Sequence, residues 1–118
     1  MRSVSVDVDD PEDRKLLVLA RGARARTGAP EGAAVRDLDG RTYAAAAVTL
    51  PSLRVSALAL ATAMAVSSGA TGLEAAAVVT DSEAVADGDL AVLRDLAGEA
   101  VPLWRGDPAG QAVERVGT

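Results

Sequence analysis

The chain has 118 residues, a net charge of −5 and 49% hydrophobic residues, and it contains neither histidine nor cysteine. That length suits a single domain around one core. The missing cysteine excludes disulfides and thiolate metal sites, the missing histidine excludes imidazole ligands and bases, and the acidic balance argues against a nucleic-acid partner, which needs a basic face.

Residues 1–10 read as an N-terminal arm, either extended or flexible, in which Val4, Val6 and Val8 alternate. The arm lacks the apolar run of a signal peptide, so a cytoplasmic location is the expectation. A single domain then occupies residues 11–116. Asp10-Pro11-Glu12-Asp13 opens a helix: Asp10 caps the free N–H groups, Pro11 suits the first helical position and the acids complement the dipole. Leu16, Leu19, Ala20 and Ala23 supply its apolar face, and Gly28 and Pro30 close it. Arg14, Lys15, Arg21, Arg24 and Arg26 lie among acids on this helix and read as a solvated face.

Residues 31–37 read as a strand, Leu38-Asp39-Gly40 as a tight turn and residues 41–48 as the returning strand. Pro51 interrupts the chain. Periodicity predicts a second helix over residues 53–68, apolar nearly all round and ended by Gly69, so it should be buried on several sides. Residues 44–70 carry one charge, Arg54, but Pro51 and several Ser and Thr residues make the run too polar and broken for a membrane span, which needs about 20 predominantly apolar residues.

Residues 73–80 form a continuous apolar run, as expected for a central strand. Asp87-Gly88-Asp89 caps a short helix over residues 90–97. Residues 100–105 make a strand in which Pro102 removes one ladder bond. After a turn at residues 106–110, residues 111–116 return antiparallel, because the turn is too short for a helical crossover. The order α-β-β-α-β-α-β-β makes an α/β fold: a five-stranded mixed sheet with helices on its faces. Ala, Val and Leu dominate the apolar set, and Trp104 and Tyr43 are the only aromatics. Such small side chains each bury little area, so an oligomer interface would add to the core. Trp104 either fills that core or anchors a subunit interface.

This order, together with particular residues, resembles the cytidine deaminase family. The segment Glu31-Gly32-Ala33-Ala34-Val35 is similar to the family's V-G-A-A stretch, and Asp39-Gly40-Arg41 to its D-G-R/K hairpin. Ser56-Ala57-Leu58 stands where the family has C-A-E at a helix start, with Gly69 thirteen residues beyond Ser56 as in the family. Asp89-Leu90-Ala91-Val92-Leu93-Arg94 stands where it has P-C-x-x-C-R. The resemblance spans residues 11–116, with a two-residue shortening near Pro51. It implies a cytidine deaminase-like three-layer sandwich and a homo-oligomer, dimer or tetramer, with a protein partner left open.

The resemblance also implies what is missing. The family's zinc ligands fall on Ser56, Leu90 and Leu93, its proton-shuttling glutamate on Leu58, and its ribose-binding Asn and Glu on Ala47 and Thr49. One hydroxyl and two aliphatic side chains are not a zinc set, and leucine moves no proton. The expectation is a pseudoenzyme without cofactor or metal and without catalytic residues: an oligomeric binding or structural component whose former zinc site has become core. The alternative is a nucleoside-like ligand-binding protein or an enzyme that reuses the old pocket through Tyr43, Thr49, Ser52, Arg54, Ser56 and Asp81. Among these, Arg54 is a lone charge in an apolar stretch, Ser56 reads as a helix cap with no base in view, and Asp81 follows a strand's C-terminal end, where ligands often bind in open α/β sheets.

Overall fold

A computed structural model describes residues 6–118; Val4 and its neighbours in residues 1–5 lie outside the described part. The elements run α1 (Pro11–Thr27), β1 (Glu31–Asp37), β2 (Thr42–Ala46), β3 (Val48–Leu50), β4 (Leu53–Val55), α2 (Ala57–Ser67), β5 (Leu73–Thr80), α3 (Asp87–Ala97), β6 (Pro102–Gly106) and β7 (Ala112–Gly117). Five strands make one sheet in the order β2-β1-β5-β6-β7, and β3 pairs with β4 in a small sheet of its own. Only β5 and β6 run parallel; β1–β2, β1–β5 and β6–β7 are antiparallel.

Helix α1 begins as its sequence dictates. Asp10 Oδ1 accepts the N–H of Glu12 at 2.8 Å, Pro11 opens the first turn, and Gly28 ends the helix at φ +67°. Its buried stripe is Asp13, Leu16, Leu17, Ala20 and Ala23. Leu17 therefore takes the place expected for Leu19, which is 36% exposed. The helix crosses β1 in close contact at Gly32, where a Cβ would lie 2.0 Å from the Ala20 carbonyl oxygen. This approach requires glycine for want of space rather than for backbone angle. Arg14 donates to the Val8 carbonyl, Lys15 pairs with Glu12 and Arg24 donates to the Pro30 carbonyl, so much of the basic cluster is engaged within its own surroundings. In the arm, the Val6 N–H donates to the Ala112 carbonyl at 2.9 Å.

The central strand β5 divides its side chains between two layers, as the period of two demands. Ala75, Ala77 and Val79 face α1, joined there by Leu16, Leu17, Ala20, Ala34 and Trp104. Ala76 and Val78 face α2 and α3, where they meet Val35, Leu58, Ala61, Leu93 and Leu103. Trp104 thus belongs to the core and is 6% exposed.

Two helix starts differ from the sequence expectation. Residues 53–55 are strand, not helix: β3 and β4 pair across Pro51-Ser52, and α2 starts at Ala57 with Ser56 as its N-cap. Proline blocks helix on its N-terminal side and favours a turn, so the apolar run divides into a hairpin and a helix. The third helix includes Asp87, Gly88 and Asp89 in its first turn instead of being capped by them; Ala86 is the N-cap and makes no side-chain bond. Pro102 pairs with Gly117 of β7, and the pairing to β5 begins only at Leu103, in keeping with a proline at the strand's start. No helix among the described residues is long and apolar enough to cross a membrane.

Candidate functional site

Helices α2 and α3 start beside each other on one face of the sheet, and their first turns hold the residues of greatest chemical interest. The Ser56 hydroxyl donates to Asp89 Oδ1 at 2.6 Å and accepts the Ala59 N–H at 3.1 Å. One hydroxyl thereby caps α2 and ties it to the opening turn of α3. Asp89 also places negative charge at the N-terminal end of α3, where the helix dipole favours it. A carboxylate is too weak a base to hold the proton of an alcohol, so this pair orients Ser56 without activating it. Sequence reasoning found no partner for Ser56; the signal available was the pair of acids, Asp87 and Asp89, opening the next helix.

Behind this pair the surroundings are aliphatic. Leu58 is 1% exposed, Leu93 is fully buried, and Leu90 packs against the same cluster half-buried. Zinc in proteins takes about four N, S or O ligands. Ser56 and Asp89 supply oxygen atoms already bonded to each other, and the leucines supply none, so this donor set does not fit the metal. Among the described residues there is no group of three or more His, Cys, Asp or Glu side chains arranged to hold an ion.

The other candidate residues have their own surroundings. Thr49 and Arg54 are cross-strand partners in the β3–β4 hairpin, Ser52 sits in its turn, and all three are exposed. Tyr43, on β2, donates its hydroxyl to Asp37 Oδ2 at 2.8 Å and neighbours Ser68. That places it near the C-terminal end of α2, about 16 Å of helix rise from Ser56. Asp81 is exposed and pairs with Arg24 of α1 at 3.3 Å.

The Asp37–Tyr43 contact is a satisfied polar unit. Burial pushes the Asp37 carboxyl up. Hydrogen bonds from the Tyr43 hydroxyl and from the N–H groups of Arg41 and Asp39 outweigh it, so the net shift is below the usual carboxylate range. The same bond to Asp37, with burial behind it, raises the Tyr43 phenol. A second polar unit lies under α1. Buried Asp13 accepts from Arg36 Nη2 at 2.8 Å and from Trp104 Nε1 at 3.0 Å, while Arg36 Nε donates to Glu74 at 2.8 Å. Sequence reasoning missed this network. Its signal was an aspartate at position 13, in step with the apolar residues 16, 17 and 20.

A five-stranded mixed sheet with one helix on one face and two on the other, both of those starting at one place, defines a deaminase-type α/β sandwich. The family model described as cytidine deaminase-like matches residues 9–110, and the chain belongs to that family. Among solved structures, it is similar to the cytidine deaminase from Burkholderia pseudomallei, with a TM-score of 0.76 and 21% identity over 86% of this chain and 89% of that one. It is also similar to the cytidine deaminase from Mycobacterium leprae, with a TM-score of 0.68 and 24% identity over 91% of this chain and 95% of that one. At these identities the likeness shows the fold alone. No curated protein sequence matches the chain.

Proposed function

We propose that this chain is a non-catalytic member of its family, a cytoplasmic, oligomeric binding or structural component that works without zinc. One observation carries the reading. Where α2 and α3 begin, Leu58, Leu90 and Leu93 fill the space with aliphatic carbon, and Asp89 engages the one hydroxyl, Ser56. Two oxygen-bearing side chains are too few to hold zinc, and Leu58 supplies no carboxylate where the family resemblance places the proton shuttle, so the set lacks parts that hydrolytic deamination requires.

The reuse of an old nucleoside pocket finds less support. Tyr43 and Ser56 stand towards opposite ends of α2, Asp81 is tied to α1, and Thr49, Ser52 and Arg54 belong to an exposed hairpin.

A thermal-shift panel with nucleosides, nucleotides, nucleobases and divalent metals tests the reading. A ligand at 100 times its dissociation constant stabilises a native state by about 2.7 kcal/mol, a readable change in Tm for a domain of this size. The expected result is no shift with any compound. A clear shift with one nucleoside class would contradict the reading and establish a surviving pocket.

A further inference from the structure

The two free edges of the main sheet, β2 and β7, are finished differently. At the β7 edge, the Val6 N–H of the arm already bonds Ala112, the pairing to β6 is interrupted by a bulge next to Gly106, and Glu114 and Arg115 put charge on the strand. Covering segments, bulges and charges are the devices by which sheet proteins keep a further strand off an edge. The β2 edge has none of them. Its segment Thr42-Tyr43-Ala44-Ala45-Ala46 carries no charge, proline or glycine, and its register with β1 runs unbroken from Thr42 opposite Arg36 to Ala46 opposite Gly32.

Hydrogen bonding fixes which groups the β2 edge presents. The Ala47 N–H donates to the Glu31 carbonyl and the Asp37 N–H to the Arg41 carbonyl. Bonded pairs in an antiparallel ladder fall at every second position, so Tyr43 and Ala45 turn their backbone groups to β1. Thr42, Ala44 and Ala46 turn their N–H and C=O groups outward, with no partner for them among the described residues. Beside the start of this edge, between β2 and α1, lies a hollow of about 400 Å³ lined by Glu12, Lys15, Val18, Leu19, Gly40 and Thr42. Val18 is 70% and Leu19 36% exposed, and Lys15 pairs with Glu12 at 3.2 Å, so the hollow offers apolar surface and no unpaired charge.

We propose that β2 accepts an extended segment of another protein as an added strand, and that a large apolar side chain of that segment fills the hollow beside α1. The outward row of donors and acceptors specifies a strand as the occupant, because backbone pairing is what it lacks. Side chains alternate between faces, so every second residue of the added strand points to the α1 side, where Ala44 already packs. The hollow sets the chemistry: leucine, isoleucine, valine or phenylalanine at the position next to Thr42, Val18 and Leu19. A second copy of this chain does not supply it, since β2 would bring only Thr42, Ala44 and Ala46 to that face and leave the hollow empty. This deepens the binding role proposed above and rests on it for the existence of a partner. The edge and the hollow lie away from α2 and α3, so failure here leaves the non-catalytic reading to its own test.

The test uses the full-length protein and short synthetic peptides with blocked ends, in which threonine alternates with leucine, isoleucine, valine or phenylalanine. A peptide with alanine in place of the large residue and one N-methylated throughout serve as controls. Binding is read by fluorescence anisotropy and amide exchange by NMR. The peptides are expected to bind and to slow exchange at Thr42, Ala44 and Ala46; the alanine peptide should bind more weakly and the N-methylated one not at all. Ala44→Pro removes an outward N–H without breaking the ladder to β1, and Leu19→Lys puts a charge in the hollow. With folding checked by circular dichroism, each should weaken binding by roughly tenfold or more. No binding by any peptide of the set, or equal binding by wild type and both variants, would overturn the proposal. Slowed exchange at the same three amides on concentrating the protein alone would give the edge to a second copy and overturn it as well.

Discussion

The two faces of the sheet bury opposite kinds of residue. Under α1, a connected set of charges runs from the interior to the surface: buried Asp13 is held between Arg36 and Trp104, and Arg36 continues to exposed Glu74. Under α2 and α3, where the family resemblance places the metal and the proton shuttle, the enclosed residues are Ala, Val and Leu with Thr62, whose hydroxyl donates to the Leu58 carbonyl, and other polar contacts lie at the edge, as Ser56 with Asp89 and Tyr43 with Asp37. This domain therefore encloses charge that is paired but not fully hydrogen-bonded, since Arg36 Nη1 is buried without a partner among the described residues, and its α2/α3 face is aliphatic by composition rather than by necessity. On the proposed reading, an ordinary hydrophobic core takes the place of a chemical site within the same fold, because leucine fills volume wherever the backbone leaves it.

Substitutions on the two faces should differ in size and kind. The largest loss is expected for Asp13→Ala, which removes the acceptor of both Arg36 Nη2 and Trp104 Nε1 and leaves Arg36 paired with Glu74 alone. Breaking a buried pair in this way costs about 3–5 kcal/mol, to be read from urea unfolding. Across the sheet, Leu93→Ala should cost about 2–5 kcal/mol by transfer and cavity formation, with no accompanying change in pH dependence. A larger loss for Leu93→Ala than for Asp13→Ala would erase the contrast between the faces.

Ser56→Ala should be milder still, about 1 kcal/mol for a lost helix cap. A much larger loss would show that the Ser56–Asp89 bond does more than join two helix ends. The smallest effect concerns Tyr43→Phe. The folded Asp37 carboxyl lies below its ordinary value, so the stability it contributes is fully present above the normal carboxylate range and disappears as the pH falls through the folded value. The deficit of Tyr43→Phe relative to wild type should therefore shrink in acid. The raised phenol works in the other direction: its contribution is present below the ordinary tyrosine value and fades as the pH rises through the folded one. Thermal melts at a series of pH values measure both limbs.

Much of this was legible in the order of residues. Asp10-Pro11 marked the start of α1, Asp39-Gly40 the first hairpin and the unbroken run at residues 73–80 the central strand, because each signal is local: a cap, a turn or a period. The absence of histidine and cysteine was equally plain. The hairpin at residues 48–55 was hidden, since Leu53, Val55 and Leu58 suit a helical stripe as well as a strand, and only pairing with Val48 and Leu50 distinguishes them. The Asp13–Arg36–Trp104 network and the Ser56–Asp89 bond were hidden for another reason. Each joins elements far apart in sequence, and side-chain partners across a fold leave no period to read. Of the candidate residues, Thr49, Ser52 and Arg54 share the β3–β4 hairpin, while Tyr43 bonds Asp37 and Asp81 pairs with Arg24, contacts that only the fold reveals.

The central claim, that the α2/α3 face carries no deaminase chemistry, is tested most directly by one paired measurement on purified protein supplied with zinc: metal content by elemental analysis and cytidine turnover by loss of ultraviolet absorbance on the same sample. The account predicts substoichiometric zinc and no turnover. Stoichiometric zinc together with turnover would contradict it.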